Sequence, residues 1–436
     1  MKRLRNLYHY IFALAAYWFY GRPARKIIVV GVTGTKGKST TCRFIASVLE
    51  AGGHKVGVMS TVEFQIADER RLNTKKMTML GRGEVQKMLR DMVRAGCRYA
   101  VIETSSEGIM QYRHLGLHYD VCVFTNLGTE HSERHGGFDN LRKAKGEIFA
   151  GLKNEQTKII GGRAVKKIII ANVDDANAPY YLNFSADKKI GFRIKNAGFN
   201  SPDIQLINAK ITSSDSAGST FQIQNSIFKI NIPGDFNVYN ALAAAVVGAS
   251  QNISEEQIIT GLSSVKLVEG RMEYIDAGQP FKVIVDYAHE PMSLTNLFET
   301  LRKIAAPGHK VIGVVGSDGG GRDKNKRAQM GEIAGRLCDS VVITDVNCFD
   351  EDPRAIADML AQGARNAGKI DGQNLFIEID RRQGITKAIS LAREGDVVAI
   401  TAKGTEPCIV VAGGKKIPWD DRAVAKEILN NHGFKR

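Results

Sequence analysis

Residues 27–40 read IIVVGVTGTKGKST, and their order decides the architecture. IIVVG (27–31) is a short apolar run, the mark of a strand buried on both faces. Gly34 and Gly37 then let backbone N–H groups turn toward phosphate oxygens. Lys38 reaches the β and γ phosphates, and Ser39 offers a hydroxyl to Mg2+. A helix opening at Lys38 adds the positive end of its dipole. Strand, glycine-rich loop and helix together make a phosphate-binding βα unit. The leading glycine is Gly31, one place before the general GxxxxGKS/T spacing. The bland alternative is a generic glycine-rich βα turn.

The same alternation continues in both directions from this loop. A helix is predicted over 38–51, a strand at 55–59, a helix over 83–95, strands at 98–103 and 120–125, and a helix over 140–152. Residues 158–232 differ, with short strand-like runs (KKIII, STFQIQ, SIFKINI) among Asn, Ser and Gly, and read as a β-rich, antiparallel appendage. A helix over 237–250 follows. A second βα series has strands at 281–286, 310–315, 340–344, 375–379 and 396–401, and a closing helix over 420–431. The fold class is α/β: a central P-loop ATPase-like domain with a parallel sheet and β-rich appendage, then a Rossmann-like, doubly wound C-terminal domain. The boundaries are 1–26 for an apolar N-terminal helix with basic flanks, 27–268 for the central domain and 269–436 for the last, since Glu269-Gly270-Arg271 breaks the pattern.

Composition narrows the classes. With 43% apolar and 24% charged residues, the 436-residue chain is globular rather than disordered or collagen-like. The six cysteines form no CxxC pair and read as buried thiols in a reducing cytosol, not as a zinc site. A net charge of +14 admits a nucleic-acid binder, a membrane binder or an enzyme with polyanionic substrates. No aromatic-and-basic nucleic-acid module is present, so nucleic acid ranks last as a partner.

Further segments recur in order along the chain: IETSSEG (102–108), FTNLGTEHSERHG (124–136), KAKGEIF (143–149), PGDFNVYNALAAA (233–245), VEGRME (268–273), VDYAHEPMSL (285–294), GRDKNKR (321–327), AKGTE (402–406) and WDDRAVAKEIL (419–429). With TGTKGKST they resemble the Mur ligase superfamily, ATP-dependent amide-forming ligases of peptidoglycan synthesis, with folylpolyglutamate synthases as relatives. The last segments resemble the subgroup that adds the third stem-peptide residue to UDP-MurNAc-L-Ala-D-Glu.

The resemblance implies two steps: a substrate carboxylate attacks the ATP γ-phosphate to give an acyl phosphate, and an amine then displaces phosphate to form the amide. It implies that Gly34, Thr35, Gly37, Lys38, Ser39 and Thr40 hold ATP, with Asn237 and Asn240 near adenine, Asp286 on the ribose and Arg271 on the phosphates once the domains close. His289 supports that loop. Glu103 and His131, with Ser39, would ligate Mg2+, two ions in all, and Lys145 would be carbamylated to help hold them. Read without the resemblance, Glu103 is a strand-end acid, His131 a loop histidine, Lys145 an exposed or phosphate-facing lysine, and the two asparagines share one helix face at a polar helix start.

The nucleotide-peptide substrate falls to Thr78, Ser105, Gln111 and Arg113, and the incoming amino acid to Arg322, Asn347 and Glu406. Three departures stand out. Glu107 replaces the family's His after Ser-Ser, and Glu130 replaces an Asp. VNCF (346–349) replaces the D-N-P-R of diaminopimelate-adding members: Asn347 is kept, and Phe349 stands where Arg would be. Lysine, ornithine or another amino acid is then open as the added residue. The family's N-terminal uridine-diphosphate domain is also expected to be missing, since about 30 residues precede Gly31. In its place LYHYIFALAAYWFY (7–20) lies between Lys2, Arg3, Arg5 and Arg22, Arg25, Lys26. This run is short for a spanning helix and reads either as a helix packed on the body or as a peripheral contact with the inner face of the membrane. The expected protein is a cytoplasmic monomer. A ligase with another acceptor, of poly-γ-glutamate or folate type, is the alternative enzyme. A P-loop binding or regulatory protein that hydrolyses little ATP is the alternative outside enzymes, supported by Glu107.

Overall fold

A computed structural model of the chain describes residues 2–75, 77–128, 133–153, 156–195, 198–321 and 323–434. The chain divides after Lys266 into two compact units.

The first unit is built on β1 (Ile28–Thr33), β2 (Val56–Met59), β3 (Glu63–Ile66), β4 (Glu69–Leu72), β5 (Tyr99–Glu103) and β6 (Val121–Phe124). A small hairpin, β7 (Ile159–Ile160) with β8 (Arg163–Ala164), stands apart, and β9 (Ile168–Asn172), β10 (Lys188–Arg193), β11 (Gln205–Asp215), β12 (Gly218–Ile223) and β13 (Ser226–Ile230) complete the series. Eleven of these form one sheet in the order β13-β12-β11-β10-β9-β6-β1-β5-β2-β3-β4. From β11 through β2 the neighbours are parallel, and both ends are finished by antiparallel strands. Every residue of β1, β5, β6 and β9 is buried, because helices cover both faces of parallel strands. The chain adds β2 on one side of β1 and then β6 on the other. This reversal parts the loops at the C-terminal ends of β1, β5 and β6 and leaves the crevice where ligands of open α/β sheets bind.

The helices of this unit are α1 (Lys2–Phe19), α2 (Lys38–Ala51), α3 (Arg82–Arg94), α4 (Ser106–Met110), α5 (Phe138–Leu152), α6 (Ala178–Leu182), α7 (Asp235–Ser250) and α8 (Glu255–Ser264). α2 packs against α7 and α8, and α1 lies on α3. The β-rich region lies in the same unit as expected, but its strands extend the central sheet and are largely parallel where antiparallel pairing was expected. Its Ile168, Ile169 and Ile170 are sunk in the parallel core, β9, β10 and β11 continue the parallel run, and the antiparallel pairings are those of β12 and β13 at the sheet end and of the β7–β8 hairpin. The sequence reading passed over the β3–β4 hairpin, whose turn at Ala67 takes φ +52° without Gly or Asn. It also passed over α8, although Ser254 and Gln257 form a capping box there.

The second unit holds β14 (Glu273–Tyr274), β15 (Lys282–Val285), β16 (Val311–Val315), β17 (Ser340–Ile343), β18 (Leu375–Ile377) and β19 (Val397–Ile400) in the order β14-β15-β19-β16-β17-β18, parallel except at β14. Its helices are α9 (Pro291–Ile304), α10 (Asn325–Leu337), α11 (Pro353–Asn366), α12 (Arg381–Leu391) and α13 (Asp421–Asn431), with a hairpin of β20 (Cys408–Val410) and β21 (Lys416–Pro418). The WDDR segment proves architectural. Asp421 accepts from Arg381 Nε and Nη2 (2.8 and 2.7 Å) and from Trp419 Nε1 (2.7 Å), all out of solvent reach at the ion pair. Asp421→Ala should leave the Arg381 cation buried and unpaired, lowering stability by about 3–5 kcal/mol in urea unfolding.

Candidate active site

The phosphate loop is rigid before any ligand arrives. Gly34 and Gly37 adopt φ +148° and +80°. A Cβ at 34 would meet Thr125 Oγ1 at 2.0 Å, and one at 37 would meet Asn240 Oδ1 at 2.1 Å. The loop after β6 clamps the other side. Thr35 N–H donates to Asn126 O, Lys36 N–H to Asn126 Oδ1 and the Thr125 hydroxyl to Lys36 O, each at 2.8 Å. Lys38 folds over the turn and donates to Thr35 O (2.9 Å). Gly31 serves packing rather than phosphate, since a Cβ there would lie 2.5 Å from the Tyr119 ring.

Ser39, at the start of α2, donates to Glu103 Oε2 at the end of β5 (2.7 Å). The same oxygen accepts Thr61 N–H (2.7 Å), and Oε1 accepts the Thr61 hydroxyl (2.9 Å). Thr61 Oγ1 is in turn 2.9 Å from Thr78 Oγ1. One hydrogen-bonded line therefore joins the phosphate loop, a buried carboxylate and Thr78. No group of three or more His, Cys, Asp or Glu able to hold a metal occurs among the described residues. The Ser39 and Glu103 oxygens fit a cation such as Mg2+, which keeps several waters and takes other oxygens from phosphates. His131 lies outside the described residues.

Lys145, on α5, is 4% exposed and donates to Gly34 O (2.8 Å). His135, not singled out from the sequence, bonds Ser106 Oγ (3.0 Å). Burial, the Lys145 cation and, in the opposite sense, Glu107 act on its imidazole, and the balance lowers its pKa. The signal was present as the second His of EHSERH. Ser105 caps α4, its hydroxyl accepting from Gly108 N–H (3.1 Å). Gln111 and Arg113 act together: Arg113 Nη2 donates to Gln111 Oε1 (2.7 Å), and Nη1 reaches Met79 O, beside Thr78. Next to them, His114 Nδ1 is buried without a hydrogen-bond partner among the described residues, and burial pushes its pKa down to about 4. Between pH 6.5 and 4 the unfolded chain binds this proton and the folded chain resists it. Stability should therefore fall by about 3 kcal/mol over that window as pH drops. His114→Gln should flatten this acid limb in urea titrations at stepped pH.

Asn237 and Asn240, both buried on α7, bond to each other (3.1 Å). Asn240 Oδ1 also accepts from Thr41 (3.2 Å) and Asn237 Nδ2 donates to Pro233 O (2.7 Å). They fasten α7 to the start of α2 next to Gly37. Thr40, on the same first turn, is buried.

In the second unit, Arg271 stacks on Tyr287 (4.4 Å) and donates to Gly270 O (3.0 Å). Asp286 accepts Met272 N–H (2.8 Å) and Ala288 N–H (2.7 Å), holding Met272 at φ +49°. His289 Nδ1 lies 2.7 Å from Tyr287 O. Asn347 donates to Asp318 Oδ1 (2.8 Å) and Glu406 Oε2 (3.1 Å), and Lys403, wholly buried, pairs with Glu406 (3.0 Å). Asp318 and Lys403 were missed in the sequence reading, although AKGTE contains the lysine. The buried Arg327 bonds Glu351 (3.0 Å), and that bond above all draws the Glu351 pKa down to about 2. Arg322 lies outside the described residues. Phe349 packs its ring where a Gly320 Cβ would be (2.8 Å).

Comparison with known proteins identifies the family. Residues 32–248 match the Mur ligase middle domain, and residues 270–404 match the Mur ligase, glutamate ligase domain. The UDP-N-acetylmuramyl-tripeptide synthetase of Roseiflexus sp. (strain RS-1) is 38% identical over 422 residues, 95% of this chain and 81% of that one. The UDP-N-acetylmuramoyl-L-alanyl-D-glutamate--2,6-diaminopimelate ligase of Geobacillus kaustophilus is 35% identical over 428 residues, 97% and 82% of the two chains. A solved structure of such a diaminopimelate ligase superposes with TM-score 0.61 at 26% identity, covering 94% of this chain and 79% of that one. Mycobacterium tuberculosis folylpolyglutamate synthase shares the fold, with TM-score 0.66 at 16% identity over 90% of this chain and 92% of that one. The chain belongs to the Mur ligase family, the ATP- and Mg2+-using ligases that form amide bonds in peptidoglycan synthesis.

Proposed function

We propose that this ligase joins an amino acid to UDP-MurNAc-L-Ala-D-Glu through an acyl phosphate. The observation that carries the reading is the line Ser39–Glu103–Thr61–Thr78. It sets the cation-binding carboxylate between the γ-phosphate end of the loop and a residue facing the acceptor. Lys38 and the loop N–H groups hold the phosphates, while Arg113 and Gln111 orient the acceptor's carboxylates. Ser39, Glu103 and His131 would hold Mg2+, one ion or two, which would supply charge neutralisation for the transferring phosphoryl group. For Arg271 and Asp286 the reading rests on the GRME and VDYAH segments. Asn347, Glu406 and Arg322 are assigned to the incoming amino acid, and with Phe349 in place of a guanidinium we assign an amino acid without a distal carboxylate. The enzyme acts in the cytoplasm as a monomer, its first helix turned to the inner face of the membrane. That none of its six cysteines lies in a disulfide suits the reducing compartment. With heavy oxygen in the acceptor carboxylate, one label should appear in the released phosphate. Unlabelled phosphate would defeat the acyl-phosphate route.

Lys145 fits the carbamate. Its nitrogen keeps one N–H after reaction with CO2, so the bond to Gly34 O survives while a carboxylate replaces the cation. Labelled bicarbonate should give a carbamate resonance absent from Lys145→Ala, and the His135 pKa should rise once its neighbour turns anionic. An unchanged spectrum in both proteins would remove the assignment.

A further inference from the structure

The first helix is inside out for a globular protein. α1 turns two alanines and one tyrosine inward: Ala13, Ala16 and Tyr17 are 3, 7 and 6% exposed. Tyr17 fixes it in place, its hydroxyl 2.8 Å from His118 Nε2 and accepting from Arg25 Nε (3.1 Å). Tyr10 adds an edge-on contact with Tyr112 (5.7 Å). The large apolar residues point away. Leu7, Ile11, Trp18 and Phe19 are 54, 57, 62 and 79% exposed. At 3.6 residues per turn these four fall, with Ala15, within an arc of about 120°. Leaving that face in water forgoes the burial that normally holds a helix to its domain.

The sequence flanking this face is basic on both sides. Lys2, Arg3 and Arg5 precede it, Arg22, Arg25 and Lys26 follow it, and the first acidic residue of the whole chain is Glu50. The Arg22 guanidinium lies 4.8 Å over the Trp18 ring, at the rim where an aromatic belt meets phosphate headgroups. Among the described residues no helix is long and apolar enough to cross a membrane. An apolar face of aromatic and aliphatic side chains between basic ends matches a helix lying in the interface plane.

We propose that the Leu7–Ile11–Trp18–Phe19 face of α1 docks on an anionic phospholipid bilayer, with the helix parallel to its surface. The loop that α1 rests on, Tyr112 to His118, directly follows Gln111 and includes Arg113, so docking holds the acceptor-side residues near the lipid surface. The proposal rests on the ligase reading only for the leaflet concerned and for naming Gln111 and Arg113 as acceptor-side. The binding assay contains no substrate, so its failure leaves that reading standing.

The test is flotation of the full chain with phosphatidylglycerol–phosphatidylcholine vesicles and with phosphatidylcholine alone. The protein should float with the anionic vesicles at low salt, lose at least about tenfold in binding on neutral vesicles or at high salt, and shift its tryptophan emission to the blue. Ile11→Glu and Phe19→Glu should each weaken flotation at least about tenfold while leaving the melting temperature and ATP turnover unchanged, because both side chains are largely exposed. A fold defect would show in melting. Trp18→Phe, which keeps the face apolar, should bind and lose the emission shift. Absence of flotation with anionic vesicles at low salt would overturn the proposal. So would salt-insensitive binding to both vesicle types, or a dimer broken by Ile11→Glu in a protein that ignores vesicles.

Discussion

Lys38→Ala should lower the rate of ATP-dependent amide formation by at least about 10³-fold, with a melting temperature within a few degrees of the parent. The expectation follows from where the ammonium sits. It caps a turn that Asn126, through the Thr35 and Lys36 N–H groups, and Thr125, through the Lys36 carbonyl, already hold in place, and it is with Lys36 one of the two full charges of the loop Gly34–Lys38. Losing a preorganised partner for charge that builds in the transition state costs about 3–4 kcal/mol. The side chain donates a part-buried hydrogen bond to Thr35 O, whose loss costs folding far less than the loss of the charge costs turnover. Turnover assays beside thermal melting separate the two effects. Full activity in Lys38→Ala would remove the phosphate-loop assignment.

Glu103→Gln should be nearly as severe for activity, about 10²–10³-fold, and unlike Lys38→Ala it should also destabilise. The carboxylate accepts from Ser39, from the Thr61 hydroxyl and from Thr61 N–H. An amide must turn its NH2 toward at least one of these donors, leaving an unpaired buried group worth about 1–3 kcal/mol. The Mg2+ concentration for half-maximal rate should rise, since one of two protein oxygens has become a poor ligand. Activity against Mg2+, with urea unfolding of the same protein, reads both consequences. A variant with normal Mg2+ dependence would move the cation elsewhere.

The phosphate loop was legible because its information is local: an apolar strand, two glycines and Gly-Lys-Ser-Thr are contiguous. Glu103 was legible for the same reason, as an acid closing a buried run. What the sequence hid is contact across distance. Lys145 touches Gly34 O from 111 residues away, and Asn240 fills the space that Gly37 leaves open. His135 became visible only when α4 and the loop before α5 came together at Ser106. Some motif residues also carry local structural roles. Ser105 caps α4, WDDR pins α13 to Arg381, and Asp286 accepts from two backbone N–H groups of its own unit. The run 166–170 was misplaced because three isoleucines in an Asn- and Ser-rich stretch look alike whether one face of the strand is covered or both.

Phosphate release by the purified protein with ATP, UDP-MurNAc-L-Ala-D-Glu and a panel of amino acids is the most direct measurement. Release should need both acceptor and amino acid, give a matching amide product by mass spectrometry, and run faster with lysine or ornithine than with diaminopimelate. Phosphate release indifferent to every amino acid, or none with any combination, would contradict the proposed ligation.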